Sequence, residues 1–154
     1  MSLSQFELYH GAVLAQVIRN PDITLKLFER NTDQGWASYY VTDNTTDYLL
    51  YIKYTSRVTF GIRKKRCNFT FSLEDIQRLK RERDRGILLC LVCDSEEVCL
   101  LDKDDIDELG ILEKGKACGI SVSWTKGSSL TVKSGGRELN KKVARNRLKE
   151  FPWR

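Results

Sequence analysis

The sequence predicts one domain of the α+β class, with a mixed central sheet flanked by helices. Helical and strand periodicities succeed one another along the chain, and no repeat, low-complexity tract or linker divides them. The 154 residues, of which 41% are hydrophobic, suffice for one buried core. We therefore expect residues 1–154 to form a single domain, with residues 120–154 as a basic C-terminal appendage.

The first third of the chain predicts one helix and three strands. An apolar stripe at helical spacing indicates a helix over residues 5–19, which ends before Pro21 because proline disfavours the helical conformation in the residue before it. Alternating apolar and polar residues predict a half-buried strand over residues 23–27, and residues 36–41 form the second strand. The almost continuous apolar run over residues 48–54 predicts a central strand covered on both faces.

A basic loop and a second helix follow. Residues 67–71 predict a short strand after the loop. Ser72 is placed to cap a helix over residues 73–83, and Asp75 stands at the position that completes a capping box. Residues 87–93 form the second strongly apolar strand.

The remaining elements are shorter. Residues 98–101 return as a hairpin, and a short helix begins after Asp102 and ends at Gly110. Residues 120–133 predict another hairpin, and residues 141–150 predict a basic helix that closes the domain.

The predicted order of helix, three strands, helix and strand resembles the αβββαβ core of the PD-(D/E)xK nuclease superfamily, over about residues 5–95. In that superfamily, acids on the second and third core strands bind a divalent cation that activates water, and a lysine follows the acid on the third strand. Lys53 occupies the position of that lysine, and Tyr51 stands where the acid would be. The resemblance implies a nuclease-like domain whose catalytic pattern has decayed and which needs no cofactor.

A metal-dependent nuclease is the first alternative. Its catalytic residues would be Lys53 together with Asp43, at the end of the preceding strand, and Glu74, on the following helix, since some superfamily members carry an acid there. Mg²⁺ would then be the cofactor. The competing interpretations are a turn residue for Asp43, an acid favoured by the helix dipole for Glu74, and a strand-end side chain reaching solvent for Lys53.

Charge is strongly segregated along the chain. Residues 53–66 contain six bases and no acid, residues 126–154 contain nine bases and two acids, and residues 94–113 contain nine acids and one base. Such segregation predicts a positive face that attracts polyanions. The bases expected to contact nucleic-acid phosphates are Arg63, Lys64, Lys65 and Arg66, with Arg145 and Arg147 in support.

The cysteines and the hydropathy pattern exclude several classes. No apolar run approaches the roughly 20 residues that span a bilayer, and no secretion signal is evident, so we expect a cytoplasmic protein. Five cysteines in that compartment predict free thiols. Cys90 and Cys93 lie on one predicted strand, which sends them to opposite faces and argues against a zinc site.

The sequence therefore predicts a non-catalytic domain that binds nucleic acid or a protein partner through its basic surfaces. A second alternative, besides the nuclease, is an interaction module in which the acidic residues 94–113 contact a basic partner.

Overall fold

The computed structural model describes residues 5–19, 23–31, 36–42, 47–55, 58–82, 84–93, 97–113, 115–148 and 151. The helices within these ranges are α1 (Gln5–Val17), α2 (Leu73–Arg81) and α3 (Lys103–Leu109). The first sheet contains, in spatial order, β1 (Thr24–Asn31), β2 (Trp36–Thr42), β3 (Asp47–Thr55), β6 (Gly86–Cys93) and β7 (Glu97–Leu101). The second contains β10 (Arg137–Glu138), β9 (Thr131–Ser134), β8 (Cys118–Trp124), β5 (Lys65–Phe71) and β4 (Val58–Phe60). The predicted α+β class is confirmed.

The first sheet is mixed: β3 and β6 are parallel, and the other neighbouring strands of the sheet are antiparallel. The chain crosses from β3 to β6 through the β4–β5 hairpin and α2. In β3, Lys53 lies opposite Trp36 of β2 and Leu91 of β6. The strand is thus central in its sheet, as its apolar composition predicted.

The core consists of two layers of apolar side chains, one on each face of the first sheet. Alternate residues of β3, such as Leu50 and Ile52, pack with Val13 and Val17 of α1. Tyr51 faces the opposite way, into a larger cluster that joins the first sheet to the second sheet, α2 and α3. Because side chains alternate along a strand, Lys53 faces the same side as Tyr51.

The two later helices begin at the caps that the sequence predicts. Ser72 and Asp75 form a capping box at the start of α2, and Asp102 and Asp105 form another at the start of α3. The helix α3 ends at Gly110, whose φ of 67° lies in the left-handed region that glycine adopts without strain. Local side-chain hydrogen bonds therefore fix these boundaries.

The predicted C-terminal helix is wrong for residues 141–148, which form turns and a single β-bridge. The backbone groups of Val143 pair with those of Leu130 at 2.8 Å in both directions, so they are not available to a helix. Residues 149 and 150 lie outside the described residues.

The segment from residue 120 is part of the main framework. Strand β8 pairs with β5 on one side and with β9 on the other, and its Ile120, Val122 and Trp124 are buried. Within the described part of the chain, no helix is long and apolar enough to cross a membrane.

Candidate functional site

Lys53, the basic residue of the central strand, is buried and faces α2. Only 8% of the residue is exposed. Its ammonium group donates to the Asp75 carboxylate at 3.0 Å and lies 4.7 Å from the centre of the Phe71 ring. Lys53 and Asp75 both line a cavity of about 330 Å³ beside β5. The lysine therefore faces the interior, and its charge has a specific partner.

Asp75 lies in the first turn of α2, where it completes the capping box with Ser72. The Ser72 N–H donates to the Asp75 carboxylate at 2.9 Å, and the Tyr51 hydroxyl and the Arg78 guanidinium each donate to it at 2.9 Å. Burial by itself would raise the pKa of Asp75, but the hydrogen bonds from Lys53 and Ser72 hold that pKa below its ordinary value. Asp75 is therefore ionised at neutral pH.

The four donors fill the Asp75 carboxylate. Oδ1 accepts from Tyr51 and Arg78. Oδ2 accepts from Lys53 and Ser72. A carboxylate offers about four lone-pair sites, and a divalent cation needs free oxygen ligands. In this arrangement Asp75 has no lone pair left for a metal ion.

Tyr51 stands at the strand position where the nuclease resemblance requires an acid. Its ring stacks on Trp36, with centroids 5.5 Å apart and an interplanar angle of 12°. The Arg78 guanidinium in turn lies 4.3 Å from the Trp36 ring. Burial, followed by the charge of Asp75, raises the pKa of Tyr51. The phenol therefore stays protonated and serves as a hydrogen-bond donor.

Of the two acids predicted for a nuclease site, only Glu74 falls within the described residues. Its side chain is 77% exposed, and its carboxylate lies 3.7 Å from the Arg78 guanidinium. Asp43 lies outside the described residues. In the ranges that are described, no three His, Cys, Asp or Glu side chains form a group that could hold a metal ion. The described residues around Lys53 and Glu74 therefore do not form the Mg²⁺ site that the nuclease alternative requires.

The acid that pairs with Lys53 is Asp75, the residue next to the predicted Glu74. The sequence predicts Asp75 in the capping box, which the structure confirms, but it does not predict the pairing of Asp75 with Lys53. The signal available was an inward-facing lysine on a strand followed by a capped helix, which places an acid of the first helical turn near the sheet.

Cationic side chains from separate parts of the chain converge on a second cavity, which we call the basic pocket. Its volume is about 550 Å³. The residues that line it are Phe60, Gly61, Arg63, Lys64 and Lys65 of the β4–β5 hairpin, Glu97 of β7, Trp124 and Lys126 at the end of β8, and Arg145. Five of the nine carry a positive charge and one carries a negative charge. Four of those five cations were predicted to contact phosphates, and Lys126 was not.

The turn of the β4–β5 hairpin carries several of these residues. The Gly61 N–H donates to the Lys64 carbonyl at 2.7 Å and closes the turn. Arg63 has a φ of 66°, which is rare for a residue other than glycine and costs about 1 kcal/mol or more. Phe60 is 72% exposed and Ile62 is 96% exposed. The hairpin thus presents two apolar side chains among its bases.

Glu97 provides the negative charge of the basic pocket. It is buried, and its carboxylate contacts the Arg145 guanidinium. The ion pair fixes the segment around Arg145 against the start of β7. Because Glu97 offsets one cation, about four positive charges remain at the pocket.

Arg66 lies outside the basic pocket. It is exposed, whereas Cys67, the next residue of β5, is buried, so Arg66 projects from the outer face of the second sheet. The sequence places it beside Lys65, but the alternation of the strand sends the two side chains to opposite faces.

Arg147 is also outside the basic pocket and holds the C-terminal segment on α3. Its guanidinium donates to Asp102 and Asp105, each at 2.6 Å, and to the Leu100 carbonyl at 3.1 Å. The three contacts use both terminal nitrogens. Arg147, predicted to support phosphate binding, therefore holds the fold together and does not line the candidate interface.

The cysteines are free, as the sequence predicts. Cys90 packs in the core layer next to α1 and Cys93 in the layer between the sheets, which confirms that they face opposite ways. Burial raises the pKa of Cys90 to about 12. Its thiol is therefore uncharged at neutral pH and behaves as a small apolar side chain.

Comparison of the chain with protein-family models, with curated proteins and with solved structures gave no match.

Proposed function

We propose that this protein binds nucleic acid through the basic pocket and performs no chemistry of its own. The observation that carries the proposal is the convergence of Arg63, Lys64, Lys65 and Lys126 on one cavity. Like charges that line one cavity repel one another, so their convergence favours an anionic ligand. Phosphate contacts from such side chains supply most of the affinity in non-specific nucleic-acid binding.

The position of the bases supports a polymer as the ligand. Arg63 and Lys64 are exposed at the end of the β4–β5 hairpin, and Lys126 is exposed in the turn after β8. Phosphates repeated along a backbone reach such separated bases together, and phosphate contacts position a protein on nucleic acid. The exposed ring of Phe60 adds a surface for a sugar or a base.

The surroundings of Lys53 support the absence of catalysis. The element order α1, β1 to β3, α2 and β6, with one inserted hairpin, is in keeping with a distant resemblance to the PD-(D/E)xK core. In a protein of that kind, the lysine of the third strand would act on the substrate. Here its charge is offset by Asp75, whose own oxygens are filled.

The test is binding of a fluorescein-labelled duplex of about 25 base pairs, followed by anisotropy at low salt. Wild-type protein is expected to bind, and Lys64→Ala combined with Lys126→Ala should weaken binding at least about tenfold, because two phosphate contacts are lost. The matched control is Lys80→Ala combined with Lys116→Ala, which removes the same charge from exposed positions that do not line the basic pocket.

Two results would contradict the proposal. One is the absence of binding by the wild-type protein. The other is an equal loss of affinity in both double variants, which would show that the overall charge of the protein matters and the basic pocket does not.

A further inference from the structure

The end of the β4–β5 hairpin carries an apolar side chain that the rest of the molecule does not cover. Ile62 is 96% exposed, more than any other large hydrophobic residue in the described ranges. Its neighbours Arg63 and Lys64 are cations that line the basic pocket. Exposing a large aliphatic group to water is unfavourable, and Ile62 does so directly beside cations of the basic pocket.

The hairpin holds Ile62 in a defined position. Phe60 pairs with Lys65 across the strands, and the Gly61–Lys64 hydrogen bond closes the turn above that pair. The Lys65 ammonium group lies 5.3 Å from the centre of the Phe60 ring. Farther from the tip, β5 is anchored by the buried Cys67. Ile62 therefore projects from a paired two-stranded ribbon.

We infer that the hairpin enters a groove of duplex DNA and inserts Ile62 between two adjacent base pairs. This inference rests on the proposed function and names its ligand. Two-stranded ribbons are used by some proteins in the minor groove of DNA, and proteins that bind there insert isoleucine and other apolar side chains as wedges that unstack a base step. Arg63 and Lys64, which follow Ile62 in the turn and line the basic pocket, would contact phosphates next to the insertion site, which offsets the free energy of unstacking.

The type of side chain at the tip of the hairpin favours duplex DNA over a single strand. Single strands are bound by stacking of several bases on aromatic rings. The hairpin offers one such ring, that of Phe60, and the Lys65 ammonium group already lies over it, whereas the residue at the tip, Ile62, is aliphatic and has no π-face. A wedge needs a stiff base stack to open, and a duplex supplies one. Pyrimidine–purine steps, which unstack most easily, should be the preferred insertion sites.

The test measures bending and unstacking together with affinity. A duplex of about 25 base pairs carries a donor and an acceptor dye at its ends and 2-aminopurine at a central pyrimidine–purine step. Saturation with wild-type protein should raise both energy transfer and 2-aminopurine fluorescence. Ile62→Ser should lose both signals and about tenfold in affinity, because the apolar contact is lost. Its salt dependence should not change, since every cation is retained.

Leu73→Ser is the matched control, because Leu73 is another exposed large hydrophobic residue, 44% accessible, and it lies on α2. It should bend the duplex as the wild-type protein does. Circular dichroism should show that both variants are folded, since neither side chain is buried.

The outcomes separate this inference from the proposed function. Tight, salt-dependent binding with a straight duplex would overturn the wedge and leave the proposed function in place. No binding would overturn both. Ile62-dependent sedimentation with phosphatidylserine vesicles, in the absence of duplex bending, would show that the hairpin is a membrane anchor and would also overturn the wedge.

Discussion

A buried ammonium group loses several kcal/mol of hydration free energy, and it is tolerated where a carboxylate offsets that loss. Lys53 and Asp75 form such a pair. The Lys53 ammonium group also lies near the Phe71 ring. The Asp75 carboxylate also accepts hydrogen bonds from Tyr51, Ser72 and Arg78. Removing the charge of one partner leaves the charge of the other buried and uncompensated. The pair therefore acts as a structural link between β3 and α2.

The first prediction concerns this pair. Asp75→Asn should lower the free energy of unfolding by about 3 to 5 kcal/mol, because it leaves the Lys53 charge buried without its partner. Lys53→Met combined with Asp75→Asn should be more stable than Asp75→Asn alone. Urea unfolding of the wild type, both single variants and the double variant measures the coupling. Additive effects would contradict a direct link.

The second prediction concerns acid stability. The pKa of Asp75 is lower in the folded than in the unfolded chain, where an aspartate titrates near 3.9. Its contribution is therefore present above about pH 4 and is lost as the pH falls through the lower pKa of the folded state. Asp75→Asn should lose less of its stability than the wild type over that acid range. Melting temperatures of the wild type and of Asp75→Asn, measured over this acid pH range, test the prediction. Melting temperatures that fall in parallel for both proteins would contradict it.

At the scale of elements, the β4–β5 turn combines backbone strain with exposed bases. Arg63 is the one residue other than glycine with a positive φ in the described ranges. Strain of this kind persists only where the surrounding structure imposes it, and it is found at functional sites. The turn is thus a place where stability and binding make opposite demands on the same residue.

The third prediction follows from that strain. Arg63→Gly should raise the free energy of unfolding by up to about 1 kcal/mol, because glycine adopts a positive φ without a Cβ clash. The same variant should weaken DNA binding, since one cation is lost. Lys64→Gly is the control: its backbone has no positive φ, so it should lose affinity without gaining stability. A destabilised Arg63→Gly would show that the turn is not strained.

For the whole molecule, the distribution of charge matters more than the net charge of +5. Basic side chains gather at the basic pocket, whereas the acids Asp102 and Asp105 are occupied at the start of α3 by the capping box and Arg147. The basic pocket therefore gathers five cationic residues and one acidic residue, whereas the whole chain has 26 basic and 21 acidic residues.

The fourth prediction is the salt dependence of binding. With about four phosphate contacts, the logarithm of the association constant should fall with the logarithm of salt concentration at a slope of about −4. Replacing Lys64 or Lys126 by alanine should each make the slope shallower by about 1. Titrations between about 50 and 200 mM salt give these slopes. A slope near zero would mean that phosphates are not what the pocket binds.

Local patterns determined much of this protein. Alternation of apolar and polar residues placed β1, because the side chains of a strand repeat every two residues, and almost continuous apolar runs placed β3 and β6. Ser72, Asp102 and Gly110 marked helix boundaries through hydrogen bonds and backbone conformations that involve only near neighbours. The bases of residues 63–65 marked a basic loop, which the structure shows to be the turn of the β4–β5 hairpin; the strand β4 was not predicted. Each of these signals depends only on residues that are close together in the sequence.

Tertiary structure decided which of these parts meet. The pairing of Lys53 with Asp75, the addition of Lys126 to the basic pocket and the withdrawal of Arg147 to α3 all join residues far apart in the sequence. The bridge between Val143 and Leu130 likewise replaced the predicted helix. A residue's periodicity fixes the face that it occupies within its own element. Strand register and the packing of sheets and helices, which depend on the whole chain, fix what lies opposite that face.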